Sequence, residues 1–235
     1  MSHAVAISGA TRGLGLALSS ELRAHGFAVA GCGTSEAGVR AAGEQLGAGA
    51  LLRAVDVADA AAVQAWADEV VATLGAPDLV IANAGVVNRP APVWELAPEV
   101  FERALAVNVG GVAHLLRAFL PAMIARGSGT FVAISSGWGR RGKEGLSPYC
   151  ASKFAVEGLV QSVALEVPAP LRVVSLDPGN GVRTAMLDTC LPDELDVAYP
   201  SPAEWAAQAV DYLLGEALRA PNGSTLTVPL AEVAA

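Results

Sequence analysis

The chain has 235 residues and a formal net charge of −8, from 15 Lys and Arg against 23 Asp and Glu. Its acidic balance disfavours nucleic-acid binding, which requires a basic face, and its hydrophobic fraction of 53% excludes a disordered chain. No apolar run reaches the ~18 residues of a membrane span, and the first ten residues lack signal-peptide features. The three cysteines show no metal or disulfide spacing. We expect a cytoplasmic protein without a membrane, nucleic-acid or metal partner.

Short apolar segments alternate with helical patterns along the chain. Strands are predicted at 4–8, 27–32, 50–55, 79–82, 130–135, 171–176 and 225–228, and helices at 14–24, 36–46, 60–74, 98–125, 148–167 and 202–214. Because the strands are continuously hydrophobic, they are typical of a parallel sheet buried on both faces. The alternation predicts a doubly wound, mostly parallel α/β sheet of about seven strands with helices on both faces.

The chain shows no interdomain linker, so we predict one domain over residues 1–235. Its least periodic part is the segment 188–201, which contains two prolines. We predict that this segment is a mobile loop.

The first strand leads directly into a glycine-rich turn and a helix. The turn consists of Ser8, Gly9, Ala10, Thr11, Arg12, Gly13, Leu14 and Gly15. Glycines there allow a tight turn and a close approach of the backbone to a pyrophosphate, while the helix N-terminus offers free N–H groups and the positive end of its dipole. The pattern predicts a dinucleotide site; the alternative is a plain strand–helix turn.

The glycine spacing resembles that of the short-chain dehydrogenase/reductase family, whose motif begins with Thr where this chain has Ser8. Matching motifs run from about residue 4 to residue 228. The resemblance implies a Rossmann-like oxidoreductase that interconverts a carbonyl and a secondary alcohol by hydride transfer. It also implies a small-molecule substrate and a homodimer or homotetramer formed through the helix that carries Tyr149.

The end of the second strand bears on the choice of cofactor. A carboxylate there would favour NAD, but residues 31–38 read GCGTSEAG, with no carboxylate before Glu36. Arg12 can supply positive charge to a phosphate, and Thr34 and Ser35 can supply hydroxyls. We therefore predict NADP(H), with NAD(H) as second choice. The segment also resembles the NADPH-dependent β-ketoacyl-acyl-carrier-protein reductases; the alternative is that Arg12 is merely exposed and Glu36 turns inward.

The resemblance implies further cofactor contacts at the ends of later strands. It assigns the adenine ring to Asp56 and Val57, and the floor of the site to the residues after the fourth strand, where Ala82 replaces the usual Asn. It also implies a loop over the nicotinamide after the sixth strand, with one residue added before Val182. These further candidates are Asn83, Ala84, Gly85, Pro178, Gly179, Val182 and Thr184.

Tyr149 and Lys153 are four residues apart in a helical pattern and therefore share a helix face. An ammonium beside a phenol is expected to lower the phenol pKa from ~10, which suits proton exchange with a carbonyl or alcohol oxygen. Lys153 is one of only two lysines, the other being Lys143, which favours a specific role over an incidental surface pair. The resemblance also assigns Lys153 to the nicotinamide ribose.

Two further residues complete the predicted catalytic set of Ser136, Tyr149, Lys153 and Asn108. Ser136 lies thirteen residues before Tyr149, the spacing at which the family has a serine that hydrogen-bonds the substrate oxygen; the adjacent Ser135 is the alternative. Asn108 lies in a long helical pattern and is followed by two glycines. It resembles the family's helix-disrupting Asn, which holds a water between the lysine and solvent, the alternative being a simple helix break.

Four cations lie near the expected substrate pocket: Arg89, Arg140, Arg141 and Lys143. They indicate either an anionic substrate or a solvated loop. Two other functions remain open. One is a β-ketoacyl thioester reductase, and the other is a non-catalytic, NADP-sensing binding module that would bind the nucleotide without consuming it.

Overall fold

The computed structural model describes residues 3–179, 181–194 and 196–230. These form a seven-stranded, entirely parallel sheet in the order β3-β2-β1-β4-β5-β6-β7. This confirms the predicted doubly wound α/β class, and each strand end lies within one residue of its prediction. The strands are β1 Ala4–Ser8, β2 Ala28–Gly33, β3 Leu51–Ala54, β4 Leu79–Ala82, β5 Thr130–Ile134, β6 Arg172–Asp177 and β7 Thr225–Thr227.

Helices cover both faces of this sheet. They are α1 Gly13–Ala24, α2 Glu36–Leu46, α3 Ala60–Leu74, α4 Pro98–Leu105, α5 Gly111–Arg126, α6 Ser147–Glu166, α7 Ala185–Cys190 and α8 Pro202–Gly215. On one face, α1 and α8 bury a core around Leu18 and Trp205. On the other, α3, α5 and α6 bury a core around Trp66, Phe119 and Val160. This burial on both sides explains the apolar character of the central strands, whereas the edge strands β3 and β7 expose Arg53 and two threonines.

The helix predicted over 98–125 is not continuous. It ends as α4 at Leu105, passes through one π-helical turn over Ala106–Gly110, and resumes as α5 at Gly111. Asn108 lies in this turn, which confirms that the helix is disrupted there. Close packing accompanies the break, because a Cβ at Gly111 would lie 2.6 Å from Cγ2 of Val57.

The helical run Pro98–Arg126 spans 29 residues and contains an 18-residue window with a mean hydropathy of 1.4, so by length and composition alone it could cross a membrane. Polar residues and Pro121 interrupt its apolar stretches, as the sequence indicates. Half of its most apolar window is buried inside the fold, where Leu115 and Phe119 pack against the sheet. The hydrophobicity of the run is explained by this core contact.

The segment 188–201 is more regular than predicted. Helix α7 continues to Cys190, and a 3-10 turn spans Pro192–Glu194. Arg183 connects both parts: its guanidinium donates to Oδ1 of Asp188 at 2.8 Å and to the carbonyl oxygens of Glu194 and Val197. The segment is thus partly helical rather than a loop throughout, its mobility stays a prediction, and Leu195 lies outside the described residues.

The core on the α3 side generates a stability prediction. Trp66 is 2% exposed and packs edge-to-face on Phe119, with ring centroids 5.4 Å apart. Trp66→Ala leaves a cavity in this core and is expected to lower the free energy of unfolding by about 3–5 kcal/mol. Trp94→Ala serves as the control, since Trp94 is 82% exposed, and should stay within about 0.5 kcal/mol of the parent. Urea denaturation followed by circular dichroism measures both, and equal losses would contradict the assignment of Trp66 to the core.

Candidate active site

A cavity of about 360 Å³ opens at the carboxyl ends of the central strands. It lies where the strand order reverses between β1 and β4, the position at which doubly wound sheets bind their ligands. Its lining comes from the start of α1, the segments after β4, β5 and β6, and the start of α6. The fold thus brings Leu14, Ser136, Tyr149 and Thr184 to one cavity although they are far apart in sequence.

The glycine-rich turn is shaped to leave main-chain N–H groups open. Gly9 and Gly13 have positive φ angles of 68° and 54°, and a Cβ at Gly15 would lie 2.1 Å from the carbonyl oxygen of Gly9. Helix α1 follows with Arg12 at its N-cap, and no described side chain caps it. The first-turn amides are therefore free to bind an anion, so the turn fits the pyrophosphate of a dinucleotide.

Ser8 and Asn83 brace this turn against β4. The Ser8 hydroxyl accepts hydrogen bonds from the amides of Asn83 and Ala84 at 3.0 and 3.1 Å. The Asn83 side chain donates to the carbonyl oxygens of Ser8 and Gly9 at 2.9 and 3.2 Å. A serine is sufficient for this role because only its hydroxyl is used.

The predicted adenosine end lies beside the same turn. A Cβ at Gly33 would lie 2.4 Å from the Thr11 hydroxyl, so the end of β2 contacts the glycine-rich turn directly. Arg12, Thr34 and Glu36 are all exposed here, and no ion pair within the described chain engages Arg12. Glu36 does not turn inward. Ser35 is already used, because its hydroxyl caps α2 by accepting from the Gly38 amide at 3.1 Å.

Asp56, after β3, holds a partly exposed carboxylate. Burial alone would raise its pKa, but hydrogen bonds from the Ala58 amide and from Arg103, each at 3.0 Å, hold the pKa below its ordinary value. The adjacent Val57 is buried against α5. Asp56 is thus an ionised hydrogen-bond acceptor at the edge of the crevice.

Helix α6 carries Tyr149 and Lys153 into the interior on one face. The Lys153 ammonium donates to the carbonyl oxygen of Ile134 at 2.7 Å and lies 5.6 Å from the centroid of the Tyr149 ring. Ser136 forms a side-chain hydrogen bond with Tyr149 and accepts from the Trp138 amide at 3.2 Å. The alternative, Ser135, is engaged elsewhere: its hydroxyl donates to the buried carboxylate of Glu157 at 2.5 Å.

Burial decides the pKa values of this pair. It raises the pKa of the Tyr149 phenol above its ordinary value, although the hydrogen bond from Ser136 opposes the shift. The expectation that Lys153 lowers this pKa is therefore wrong for the protein alone, because the dry site disfavours the phenolate more than its neighbours favour it. Burial also lowers the pKa of Lys153 to about 8, against the opposing charges of Glu157 and Asp177.

Asn108 braces the elements around Lys153. Its side-chain amide donates to the carbonyl oxygen of Val86 and to the Ser152 hydroxyl, both at 2.9 Å, and its Oδ1 accepts from the Val86 amide at 2.8 Å. A Cβ at Gly85 would lie 3.4 Å from this oxygen and 3.9 Å from Nζ of Lys153. Asn108 therefore lies next to the lysine, with its side-chain polar atoms bonded to protein.

The segment after β6 faces the glycine-rich turn across the cavity. The Pro178 carbonyl accepts from the Trp205 indole at 2.8 Å, Gly179 has a φ of 98°, and Val182 is buried. The Thr184 hydroxyl caps α7 by accepting from the Leu187 amide at 3.2 Å. The methyl group of Thr184 would lie 3.7 Å from a Cβ at Gly13, so this threonine stands opposite the start of α1.

The four predicted pocket cations are not equivalent. Arg140 is turned towards Asp177, to which it donates at 2.9 Å, and is absent from the cavity lining. Arg141 and Lys143 line the cavity, while Arg89 joins Lys143 along an adjoining groove. The segment 188–201, which the sequence predicts at the substrate pocket, contributes Glu194 and Tyr199; both line the cavity, and they hydrogen-bond each other. No sequence motif marks them, because only the path of the chain after α7 brings them there.

Comparisons with known proteins agree with this geometry. Residues 3–195 match the short chain dehydrogenase family. An NADPH-dependent pterin aldehyde reductase of Arabidopsis thaliana is 39% identical over 226 residues, which cover 95% of this chain and 92% of that protein. The solved structure of a 3-ketoacyl-(acyl-carrier-protein) reductase from Brucella melitensis, complexed with NADH, has a TM-score of 0.87 at 26% identity and covers 96% of both chains. A chain from Shigella flexneri 2a described as a short chain dehydrogenase, complexed with NADP, has a TM-score of 0.86 at 28% identity and covers 97% of both chains.

The two-lysine composition allows a direct test of the buried ammonium. In protein labelled with carbon-13 at lysine Cε, the Lys153 resonance is expected to titrate near pH 8, because burial destabilises its charged form. Lys153→Met identifies the signal by its loss. Since an unfolded lysine holds its proton up to its ordinary pKa of 10.5, the unfolded state binds more protons between about 8 and 10.5. The contribution of Lys153 to the free energy of unfolding therefore rises with pH in that window. A midpoint of the carbon-13 titration near pH 10.5 would contradict the burial of the ammonium.

Proposed function

We propose that this chain, which belongs to the short chain dehydrogenase family, is an NADP(H)-dependent oxidoreductase that interconverts a carbonyl compound and its alcohol. The alcohol is secondary where the substrate is a ketone and primary where it is an aldehyde. The observation that carries the proposal is the contact between the Tyr149 phenol and Ser136, with the buried Lys153 ammonium behind the phenol ring. Ser136 and Tyr149 line a cavity beside the open N-terminus of α1.

The roles of the catalytic residues follow from their surroundings. A bound nicotinamide supplies or accepts the hydride. In the reducing direction, Tyr149 donates its proton to the carbonyl oxygen. Its raised pKa suits this role, because the phenol stays protonated until the carbonyl oxygen accepts the proton. Ser136 holds the same oxygen by a hydrogen bond, Lys153 stabilises the phenolate that forms, and Asn108 keeps the lysine and its surroundings in place.

The cofactor residues divide by the part of the nucleotide they would hold. We assign the pyrophosphate to the glycine-rich turn from Ser8 to Gly15, the adenine to Asp56 and Val57, and the floor beneath the nicotinamide ribose to Asn83, Ala84 and Gly85. Tyr149 and Lys153 would contact that ribose. The remaining contacts lie in the facing segment: Pro178, Gly179, Val182 and Thr184.

A preference for NADP(H) over NAD(H) is supported by the charges at the end of β2. Arg12, Thr34, Ser35 and Glu36 are all exposed, and the end of β2 contacts the glycine-rich turn at Thr11, next to Arg12. A 2′-phosphate would be neutralised by the guanidinium and would meet no carboxylate. The relative from Arabidopsis thaliana is NADPH-dependent by name.

Two substrate classes have specific support. The name of that relative favours an aldehyde on a flat heterocycle, and the rings of Trp138 and Tyr199 offer aromatic walls in the cavity. The alternative is a β-ketoacyl thioester, which the neighbour from Brucella melitensis favours by its name. A panel of both classes separates them by NADPH consumption. A binding module that only senses NADP would bind the nucleotide but would not consume NADPH with either substrate class.

We propose further that residues 1–235 are one domain in a cytoplasmic homodimer or homotetramer. The sheet supports one domain, because it takes strands from both ends of the described chain and α8 packs on α1. Association through α6 is supported by apolar side chains left exposed there, Phe154 at 48% and Leu165 at 90%.

The assignment of Tyr149 as the acid predicts a specific loss. Tyr149→Phe removes the transferable proton and is expected to lower kcat by about 10²–10⁴-fold. NADPH affinity, measured by nucleotide fluorescence, should change by less than about three-fold, because the phenol adds little to ground-state binding. Tyr212→Phe on α8 is the matched control and should retain the parent kcat. Substantial turnover by Tyr149→Phe would show that another group donates the proton.

The assignment of Arg12 predicts a change in cofactor preference. Arg12→Ala removes a charge-assisted contact and is expected to weaken NADPH binding by about 10–100-fold, while NADH binding changes little. Arg117→Ala, an exposed arginine on α5, should leave both affinities unchanged. Fluorescence titration with each nucleotide gives the ratio of dissociation constants. Tighter binding of NADH than of NADPH by the parent protein would overturn the preference.

A further inference from the structure

Ser136 lies between two residues whose positions are fixed by buried carboxylates. On one side, the Ser135 hydroxyl donates to Oε1 of Glu157 at 2.5 Å. On the other, the Gly137 amide interacts with the carboxylate of Asp177. Glu157 and Asp177 are only 6% and 7% exposed. The main chain is therefore held on both sides of the serine that faces Tyr149.

Arg140 lies between these two carboxylates. Its Nη2 donates to Oδ2 of Asp177 at 2.9 Å, and its Nε lies 3.9 Å from Oε1 of Glu157. Both of its Nη atoms also reach the hydroxyl of Thr227, at 3.3 and 3.2 Å. Because Arg140 follows Ser136 by four residues, these contacts close the short segment between them onto the ends of β6 and β7.

Glu157 joins this segment to the helix that carries Tyr149. It lies on α6, one turn after Lys153. Besides Ser135, its carboxylate accepts hydrogen bonds from the hydroxyls of Ser175 at 2.5 Å and Thr225 at 2.8 Å. One carboxylate on α6 thus accepts from hydroxyls at the end of β5, within β6 and at the start of β7. A carboxylate with this many donors is a satisfied buried acceptor, which holds its partners in fixed geometry.

We propose that Glu157, Arg140 and Asp177 form a positioning network that sets the Ser136 hydroxyl against the Tyr149 phenol and keeps Lys153 charged. None of the three needs to touch the substrate for this role. The inference rests on the proposed function, because positioning matters only if Ser136, Tyr149 and Lys153 carry the chemistry.

The network acts on Lys153 through charge. The titratable and charged groups that face this ammonium are Tyr149 and Glu157 from α6 and Asp177 from the end of β6, with Arg140 beyond the two carboxylates. Burial lowers the pKa of Lys153, and the two carboxylates oppose that shift. Neutralising Glu157 removes one of these opposing charges, so the ammonium loses its proton at a lower pH.

The test compares two hydroxyls that bind the same carboxylate. Ser135→Ala removes the donor next to Ser136 and is expected to lower kcat about ten-fold, because the Ser136 hydroxyl loses its alignment with Tyr149. Thr225→Val removes a donor on β7, two strands away, and should leave kcat within about two-fold of the parent. The KM for NADPH should stay constant in both variants. Equal losses of kcat in the two variants would show that the network is merely structural and would overturn the proposal.

Glu157→Gln tests whether the negative charge of Glu157 keeps the Lys153 ammonium protonated. The carbon-13 titration of Lys153 should move to lower pH, and the alkaline limb of the kcat profile should move with it. Thr225→Val should move neither. A Lys153 midpoint in Glu157→Gln identical to that of the parent overturns the proposal.

Arg140 provides a second pair if Glu157→Gln fails to fold. Arg140→Met should lower kcat about ten-fold, and Arg140→Lys should recover part of that loss because it keeps a charge between the carboxylates. Parent activity in Arg140→Met would contradict the proposal. A parent protein that turns over no carbonyl substrate would refute the proposed function alone, since the Lys153 titration requires no turnover.

Discussion

The nucleotide crevice depends on the close approach of α1 to the end of β1. A Cβ at Gly15 would lie 2.1 Å from the carbonyl oxygen of Gly9 and 2.5 Å from the side-chain Nδ2 of Asn83, so only glycine permits this contact. Because Asn83 also bonds the carbonyl oxygens of Ser8 and Gly9, helix, turn and β4 form one rigid unit. The uncapped amides of α1 are therefore aimed into the crevice by the backbone itself, which is the preorganisation that anion binding requires.

The catalytic side of the crevice relies on buried charge instead. Lowering the pKa of Lys153 from 10.5 to about 8 corresponds to a cost of about 3 kcal/mol for its charged form. The carboxylates of Glu157 and Asp177 oppose the effect of burial on this pKa, so the cost would be larger without them. The same dryness keeps the Tyr149 phenol protonated. Under the proposed function, the protonated phenol would give its proton to a reacting oxygen, and the neighbouring Lys153 ammonium would stabilise the resulting phenolate.

The two sides differ in what makes them specific. The nucleotide side consists of backbone amides, small residues and braces between strand ends. The substrate side consists of large side chains: the Trp138 ring stands edge-on to Tyr149 at 6.1 Å, Lys143 lies 6.0 Å from the centre of the Trp138 ring, and Tyr199 bonds Glu194. Side chains of this kind can change without disturbing the sheet. Cofactor chemistry can therefore be preserved while the substrate changes.

The sequence by itself determined the fold class, the strand ends and the chemistry-bearing motifs, because each depends on neighbours along the chain. Continuous apolar runs required a sheet covered on both faces, glycines at 9, 13 and 15 required a tight turn before α1, and the spacing of Tyr149 and Lys153 placed both on one helix face. Only the tertiary structure decided the π-helical turn at Asn108, the order within the 188–201 segment, the turning of Arg140 towards Asp177 and the direction of the Tyr149 pKa shift. Each of these depends on burial and on partners from distant strands, such as Val86 for Asn108 and Glu157 for Ser135. Local sequence patterns do not show how deeply a side chain is buried or which residues it contacts across the sheet. Burial and these long-range contacts set the environment of the candidate site.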